Sequence, residues 1–252
     1  MAFNESPGWY VISLRPQGEH AALRRAAAAH GARVIALSPW KLRLHTDDAA
    51  RAALRVALDA PRVLFTSPAA VRAAAALLEF HPRPNQAWIA VGSGTARALQ
   101  RAGVTCIQSP ARMDSEGLLE LPALQDLPGI DVGLVTAPEG RSLLAATLRE
   151  RGARLLRADV YAREPIALSP FALRRLRALQ APAFLALTSE GALRHVLAQA
   201  PADILARLRA APAMAASARL QRIAREAGFN EVELAEGPRP RQLLAAMARR
   251  FR

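Results

Sequence analysis

Residues 10–40, "YVISLRPQGEHAALRRAAAAHGARVIALSPW", and residues 132–161, "VGLVTAPEGRSLLAATLRERGARLLRADVY", follow one plan. Each runs strand, turn, amphipathic helix, glycine stop and strand. Val11 aligns with Val132, Leu23 with Leu144, Gly31 with Gly152 and Trp40 with Tyr161, all 121 positions apart. Thr66-Ser67 recurs as Thr188-Ser189 at an offset of 122, and Gly103 matches Gly228 at 125. Such an internal repeat restricts the fold more than any single motif does. Apolar runs alternating with helical periods call for parallel strands, because each parallel return needs a crossover helix. The reading is α/β, with two doubly wound parallel-sheet domains of flavodoxin-like type and a tandem duplication behind them.

Local signals agree with that plan. Ser67 precedes Pro68 at the start of a helical pattern, a capping hydroxyl followed by a residue that has no N–H to satisfy. Ser189 stands in the equivalent place. Gly31, Gly103, Gly152 and Gly228 each follow an amphipathic run, as helix stops do. Two stretches, 33–45 "RVIALSPWKLRLH" and 154–166 "RLLRADVYAREPI", are extended runs longer than one core strand needs. Lying at equivalent places in the repeat, they read as two ribbons side by side linking the domains; a long central strand followed by a loop is the alternative.

The net charge of +13 is carried by arginine, with Lys41 the single lysine, and a field of that sign attracts polyanions. Plain arginine-for-lysine usage in helices explains the same number. The arginines form no run and aromatic residues make up only 5% of the chain, too few for a base-stacking surface, so nucleic acid is the weaker partner. Cys106 is the single cysteine, which excludes an internal disulfide or cysteine metal cluster and points to the cytoplasm. No apolar stretch reaches spanning length, and "MAFNESPGWYVISL" lacks the pattern of a secretory signal, so neither membrane nor export is expected.

In doubly wound sheets, ligands meet the carboxyl ends of the strands, where helix N-termini offer free N–H groups. The short polar motifs fall there: Arg15-Pro16, Thr66-Ser67, Gly92-Ser93-Gly94-Thr95, Glu139-Gly140-Arg141, Thr188-Ser189 and Ser217. Serine, threonine and glycine serve turns in any protein, so it is their convergence on one edge that suggests a site. Known catalytic patterns are missing. "GSGTAR" lacks the third glycine and acidic partner of a dinucleotide site, and there is no phosphate-binding Gly-Lys-Ser/Thr. No Gly-x-Ser-x-Gly elbow occurs. His20, His30, His45, His81 and His195 are scattered and read as surface or helix residues, so neither a metal nor a cofactor is expected. Asp47-Asp48 reads as a helix start. What remains is a cleft holding an anion through backbone and arginine.

In their order along the chain, these motifs resemble the uroporphyrinogen-III synthase family. "SLRPQGE" is similar to its first turn, Phe65-Thr66-Ser67 to its Phe-Thr-Ser strand end, and Val91-Gly92-Ser93-Gly94-Thr95-Ala96 to its Val-Gly-x-x-Thr-Ala turn. "SEGLLE", with Ser115 and Glu116, matches a further segment, and "PEGRSLLAATLRERGARLLRADVYAR" resembles its Gly-Arg helix leading to a tyrosine ribbon. The second copy departs, with Glu190 in place of a frequent proline and Ser217 without the Gly-x-x-Thr of the first.

The resemblance implies a discontinuous domain of residues 1–38 and 165–252, a second of 43–160, and linkers near 39–42 and 161–164. The implied substrate is hydroxymethylbilane, a linear tetrapyrrole polycarboxylate held in an interdomain cleft. It loses its terminal hydroxyl as water and closes with its last ring inverted, a cyclising lyase reaction that feeds tetrapyrrole and heme biosynthesis. Because such a substrate ionises readily, the catalyst's task is mainly positional. Tyr161 takes the family's tyrosine position, as hydrogen-bond donor to the leaving hydroxyl or as a packed ribbon aromatic. A monomer, with hand-over from hydroxymethylbilane synthase, completes the expectation. Its rivals are a non-catalytic binder of an anionic metabolite and a nucleic-acid-binding module.

Overall fold

The computed structural model describes residues 8–110, 115–138 and 142–250. In the first half of the chain, strands β1 (Trp9–Ser13), β2 (Ala32–Ala36) and β3 (Trp40–Leu44) surround helix α1 (Ala21–Ala28). There follow α2 (Asp48–Leu58), β4 (Arg62–Phe65), α3 (Pro68–Leu77), β5 (Ala87–Ala90), α4 (Ser93–Arg101), β6 (Ile107–Gln108) and α5 (Ser115–Leu119). The second half opens with β7 (Asp131–Thr136), α6 (Ser142–Glu150), β8 (Arg154–Asp159) and β9 (Tyr161–Pro165). It continues with α7 (Pro170–Arg177), β10 (Ala183–Leu187), α8 (Glu190–Gln199) and α9 (Ala202–Ala210). It closes with β11 (Ala213–Ala215), α10 (Ala218–Glu226), β12 (Val232–Leu234) and α11 (Pro240–Arg250).

Among the described residues the strands form two five-stranded parallel sheets and one two-stranded ribbon. One sheet has the order β12-β11-β10-β1-β2 and the other β6-β5-β4-β7-β8, so each draws strands from both halves of the chain. The chain divides into two compact units accordingly, one of residues 1–41 and 164–252, the other of 42–163.

Both faces of each sheet are covered. In the first unit, Val11, Phe184 and Ala186 point into one apolar cluster, while Ile12, Leu185 and Leu187 point into another. In the second, Val63, Phe65 and Trp88 lie on one side, and Leu64, Ile89 and Leu134 on the other. Burial on both faces is why "YVIS", "VLF" and "AFLAL" read as unbroken apolar runs rather than alternating ones. Phe65, Phe80 and Trp88 make a packed trio with ring centroids 5.3 to 5.7 Å apart. Each such pair adds about 0.5–1.5 kcal/mol beyond area burial.

The two long extended runs are neither simple ribbons nor simple strands. Each breaks in two: β2 and β8 are sheet strands, and after Leu37-Ser38-Pro39 or Val160 the chain continues as β3 or β9. Among the described residues those two pair only with each other, and Lys41 Nζ meets Glu164 Oε1 at 3.0 Å on the ribbon's exposed surface. An exposed ion pair contributes roughly 0–1 kcal/mol, so backbone pairing and the buried Tyr161 side chain hold the ribbon. Gly31, Gly103, Gly152 and Gly228 all have positive φ, as helix stops require.

Candidate active site

Because all strands within a sheet are parallel, their carboxyl ends face one edge, and most of the polar motifs gather there. In the first unit, Arg15 follows β1, Thr188-Ser189 follow β10 and Ser217 follows β11. In the second, Thr66-Ser67 follow β4 and Gly92 to Thr95 follow β5. Gly140 and Arg141, with Glu139, lie outside the described residues. For Ser115 and Glu116 the structure describes the backbone, which opens α5.

The second unit builds a neutral cluster of hydroxyls. Thr66 is buried; its N–H donates to Val135 O at 3.2 Å and its hydroxyl to Thr136 Oγ1 at 2.8 Å. That N–H therefore belongs to the sheet and not to a ligand. Ser67 caps α3 by accepting from Ala70 N at 3.0 Å, and its Oγ is 3.2 Å from the Tyr161 hydroxyl. Tyr161 is only 4% exposed and packs into this unit's core, deeper than its ribbon position suggests. Gly92 is the N-cap of α4, and among the described residues no side chain caps that helix. Its carbonyl accepts from Thr95 N and Ala96 N, which leaves the first two N–H groups of the turn outside the helix ladder. Ser93 is half-buried beside them and Thr95 buried.

The equivalent edge of the first unit carries charge. Phe65 pairs with Val135 in one sheet and Ser13 with Ala186 in the other. Extending both registers sets Thr66 opposite Thr136 but Thr188 opposite Arg15. A buried threonine pair in one unit is thus replaced by a threonine and a half-buried arginine in the other. Burial pulls the Arg15 pKa below the ordinary arginine value, with the Glu19 carboxylate opposing it. A guanidinium keeps its charge at neutral pH all the same. Ser189 and Ser217 cap α8 and α10, accepting from Ala192 N and Leu220 N. Glu190 is not a bare negative charge on this edge: Arg194, at 2.8 Å, and Arg219 both bind it and hold its carboxyl below the usual range.

One expectation is overturned. His20, expected at the surface or within a helix, is instead the residue just before α1 and only 4% exposed, with Nδ1 2.9 Å from Ser13 Oγ and Nε2 2.8 Å from Ser38 Oγ. Burial, then the charges of Arg24 and Arg15, push its pKa down to about 4. A neutral ring has one donor and one acceptor nitrogen, which suits two hydroxyls. The network joins the ends of β1 and β2 to the start of α1, and sequence reading missed it. Its only signal was two serines, each closing an apolar strand run. Thr136 was missed likewise. Among the described residues no group of three or more His, Cys, Asp or Glu side chains has metal-site geometry, and no helix is long and apolar enough to cross a membrane.

Comparison with known proteins bears on this arrangement. The family model described as uroporphyrinogen-III synthase HemD matches residues 21–245. The fold is similar to that of a mutant uroporphyrinogen III synthase from the extremely thermophilic bacterium Thermus thermophilus, at 21% identity and a TM-score of 0.63. That match covers 95% of this chain and 97% of the other. It is also similar to uroporphyrinogen-III synthetase from Helicobacter pylori 26695, with 17% identity, a TM-score of 0.60, and 96% and 99% of the two chains covered. With strand-end motifs, two parallel sheets and a family match over most of its length, the chain belongs to the uroporphyrinogen-III synthase family.

Proposed function

We propose that the chain is a cyclising lyase that converts hydroxymethylbilane to uroporphyrinogen III. The observation that carries this reading is the family match over residues 21–245. The terminal hydroxyl leaves its methylene carbon with the C–O electron pair and, with a proton, departs as water. The resonance-stabilised cation attacks the last pyrrole at its substituted carbon, giving a spiro intermediate. That intermediate breaks the ring's older methylene bond, re-forms it at the unsubstituted carbon on the other side of the ring nitrogen and loses the proton of that carbon to restore the pyrrole.

The residues fit a positional catalyst. In the first unit, Arg15 with Thr188, Ser189 and Ser217 takes carboxylate arms. In the second, the first turn of α4, with Ser93 and Thr95, presents the positive end of a helix to a carboxylate arm. Ser115, Glu116, Gly140 and Arg141 join this set by resemblance. Tyr161 donates to the departing hydroxyl. Ser67 Oγ already accepts from Ala70 N, so its own O–H can turn to Tyr161 and leave the phenol proton free for the substrate. Stabilisation of this kind acts as the C–O bond breaks and therefore raises turnover.

The protein acts as a monomer in the cytoplasm, receiving its substrate by transient hand-over from hydroxymethylbilane synthase. Among the described residues the large exposed apolar side chains are Leu44, Val56, Phe171 and Leu234, scattered along the chain, as suits a monomer. Incubation with hydroxymethylbilane, followed by separation of the type III and type I products, tests the whole reading. Enzyme-dependent type III is expected; type I alone, at the rate without protein, would leave a binding protein.

A further inference from the structure

Strand β2 ends its sheet, and among the described residues no strand pairs with its outer side. Leu37 N–H donates to Ser13 O, so by alternation Ile35 and Arg33 face β1, while the N–H and C=O groups of Val34 and Ala36 point outward. A cavity of about 550 Å³ opens against this bare edge, walled by α1 through His20 and Arg24 and by α7 through Phe171 and Arg175. It begins at Gln17, directly after Arg15-Pro16, and includes Ser38, just past the end of β2. It therefore adjoins the same carboxyl edge of the same unit. A second hollow of about 650 Å³ shares Arg24, Val34 and Arg175 with it and adds Tyr10 and Arg33, prolonging the groove along the strand.

The groove has both an apolar and a cationic side. The Arg175 guanidinium lies 5.5 Å from the Tyr10 ring centroid and 5.8 Å from that of Phe171. Stacking engages its faces and leaves its N–H rim to fork a carboxylate. Among the described residues neither Arg24 nor Arg175 has a carboxylate partner, whereas Arg154, Arg157, Arg177, Arg194 and Arg219 all do. Lys41 is held by Glu164 and adds less. Phe171, on the cavity wall, is 61% exposed, an apolar ring face open to a flat ligand.

We propose that this groove is a subsite for one pyrrole ring of the tetrapyrrole, its flat face on Phe171 and its carboxylate arms on Arg24, Arg175 and the Ala36 N–H. The assignment rests on the reaction proposed above and deepens it: the groove holds a ring by its face and acidic arms, so it serves affinity and choice of substrate. A volume of this order suits a ring with two short acidic arms.

Steady-state kinetics on Arg24→Gln, Arg175→Gln, Phe171→Ala and the double arginine variant test it, with Arg222→Gln as a control for net charge. Losing one charge-assisted hydrogen bond weakens binding by roughly tenfold. Each groove variant should therefore raise KM about fivefold to tenfold, keep kcat and keep the product as type III, while the control matches wild type. Melting curves confirm that the variants are folded. Calorimetry with a monopyrrole bearing acetate and propionate arms gives a readout independent of turnover, binding wild type and losing the double variant. An unmoved KM in the double variant, or monopyrrole binding that ignores both arginines, overturns the groove. Absence of type III product from wild type overturns the reaction instead, and the monopyrrole titration still judges the groove.

Discussion

Tyr161 is the residue to which the proposed reaction gives a chemical role, and its surroundings make the test clean. Its hydroxyl contacts Ser67 Oγ, and Ser67 keeps its capping bond to Ala70 without it. Tyr161→Phe should therefore fold normally and still make type III product. General-acid groups contribute about 10²–10⁴-fold, and a substrate that ionises unaided needs less, so turnover should fall roughly tenfold to a hundredfold with product affinity unchanged. An unaltered rate would make the ring a packing residue, which its burial beside Ala158 and Val160 would then explain. His20 gives a prediction in pH. Its folded pKa of about 4 lies below the ordinary histidine value of 6.5, so the unfolded chain binds the proton more readily. Stability should be full above about pH 6.5 and fall as pH drops toward 4, by about 2–3 kcal/mol in total. The charged groups that act on the ring, Arg24 and Arg15, both oppose its protonation and do not reverse the sign. Melting temperatures from pH 7 to 4 should show this slope flattened in His20→Gln, which can still donate and accept but does not titrate. An equal slope in both proteins would mean that other groups set it.

At the scale of elements, caps were legible and close packing was not. Asp47, Ser67, Ser169, Ser189 and Ser217 each accept the N–H three residues on, a local bond that the sequence announces. Gly133 in β7 announces nothing, since "DVGLVT" reads as a strand weakened by a glycine. In the fold, a Cβ there would sit 1.9 Å from the Ala57 carbonyl oxygen of α2, a backbone atom that cannot swing aside. Gly133→Ala should cost about 1–3 kcal/mol as α2 and β7 are forced apart. Gly191, in the first turn of α8, is the contrast: its Cβ would meet Trp40 Cη2 at 3.7 Å, an ordinary contact. Gly191→Ala should be neutral or stabilise by up to about 1 kcal/mol, since alanine favours the helix. Urea midpoints moving the same way for both variants would count against the packing argument.

For the whole molecule, the net charge of +13 acts on encounter with a polycarboxylate. Raising salt from about 0.05 to about 0.5 M shortens the reach of that field, so KM should rise several-fold while kcat stays nearly constant. A KM indifferent to salt would mean that the arginines are spent on ion pairs such as Arg177–Asp203 and Arg154–Asp131. The crossed assembly of the sheets belongs to this scale too. β1 and β2 complete the sheet of β10 to β12, an arrangement expected from family resemblance but invisible to any local rule.

The sequence by itself determined what short-range physics can encode. Alternating strand and helix periods, serine caps and glycine stops all depend on neighbours a few residues apart, and they led to parallel sheets with polar turns along one edge. Only the tertiary structure decided which polar groups are buried and which are free. Thr66 spends its N–H on Val135, 69 residues away, His20 is sealed between Ser13 and Ser38, and Tyr161 is drawn 94 residues back to Ser67. The groove on β2 exists because that strand ends its sheet while α1 and α7 flank it. Burial and charge pairing follow from which distant segments meet, and meeting at a distance leaves no local period in the chain.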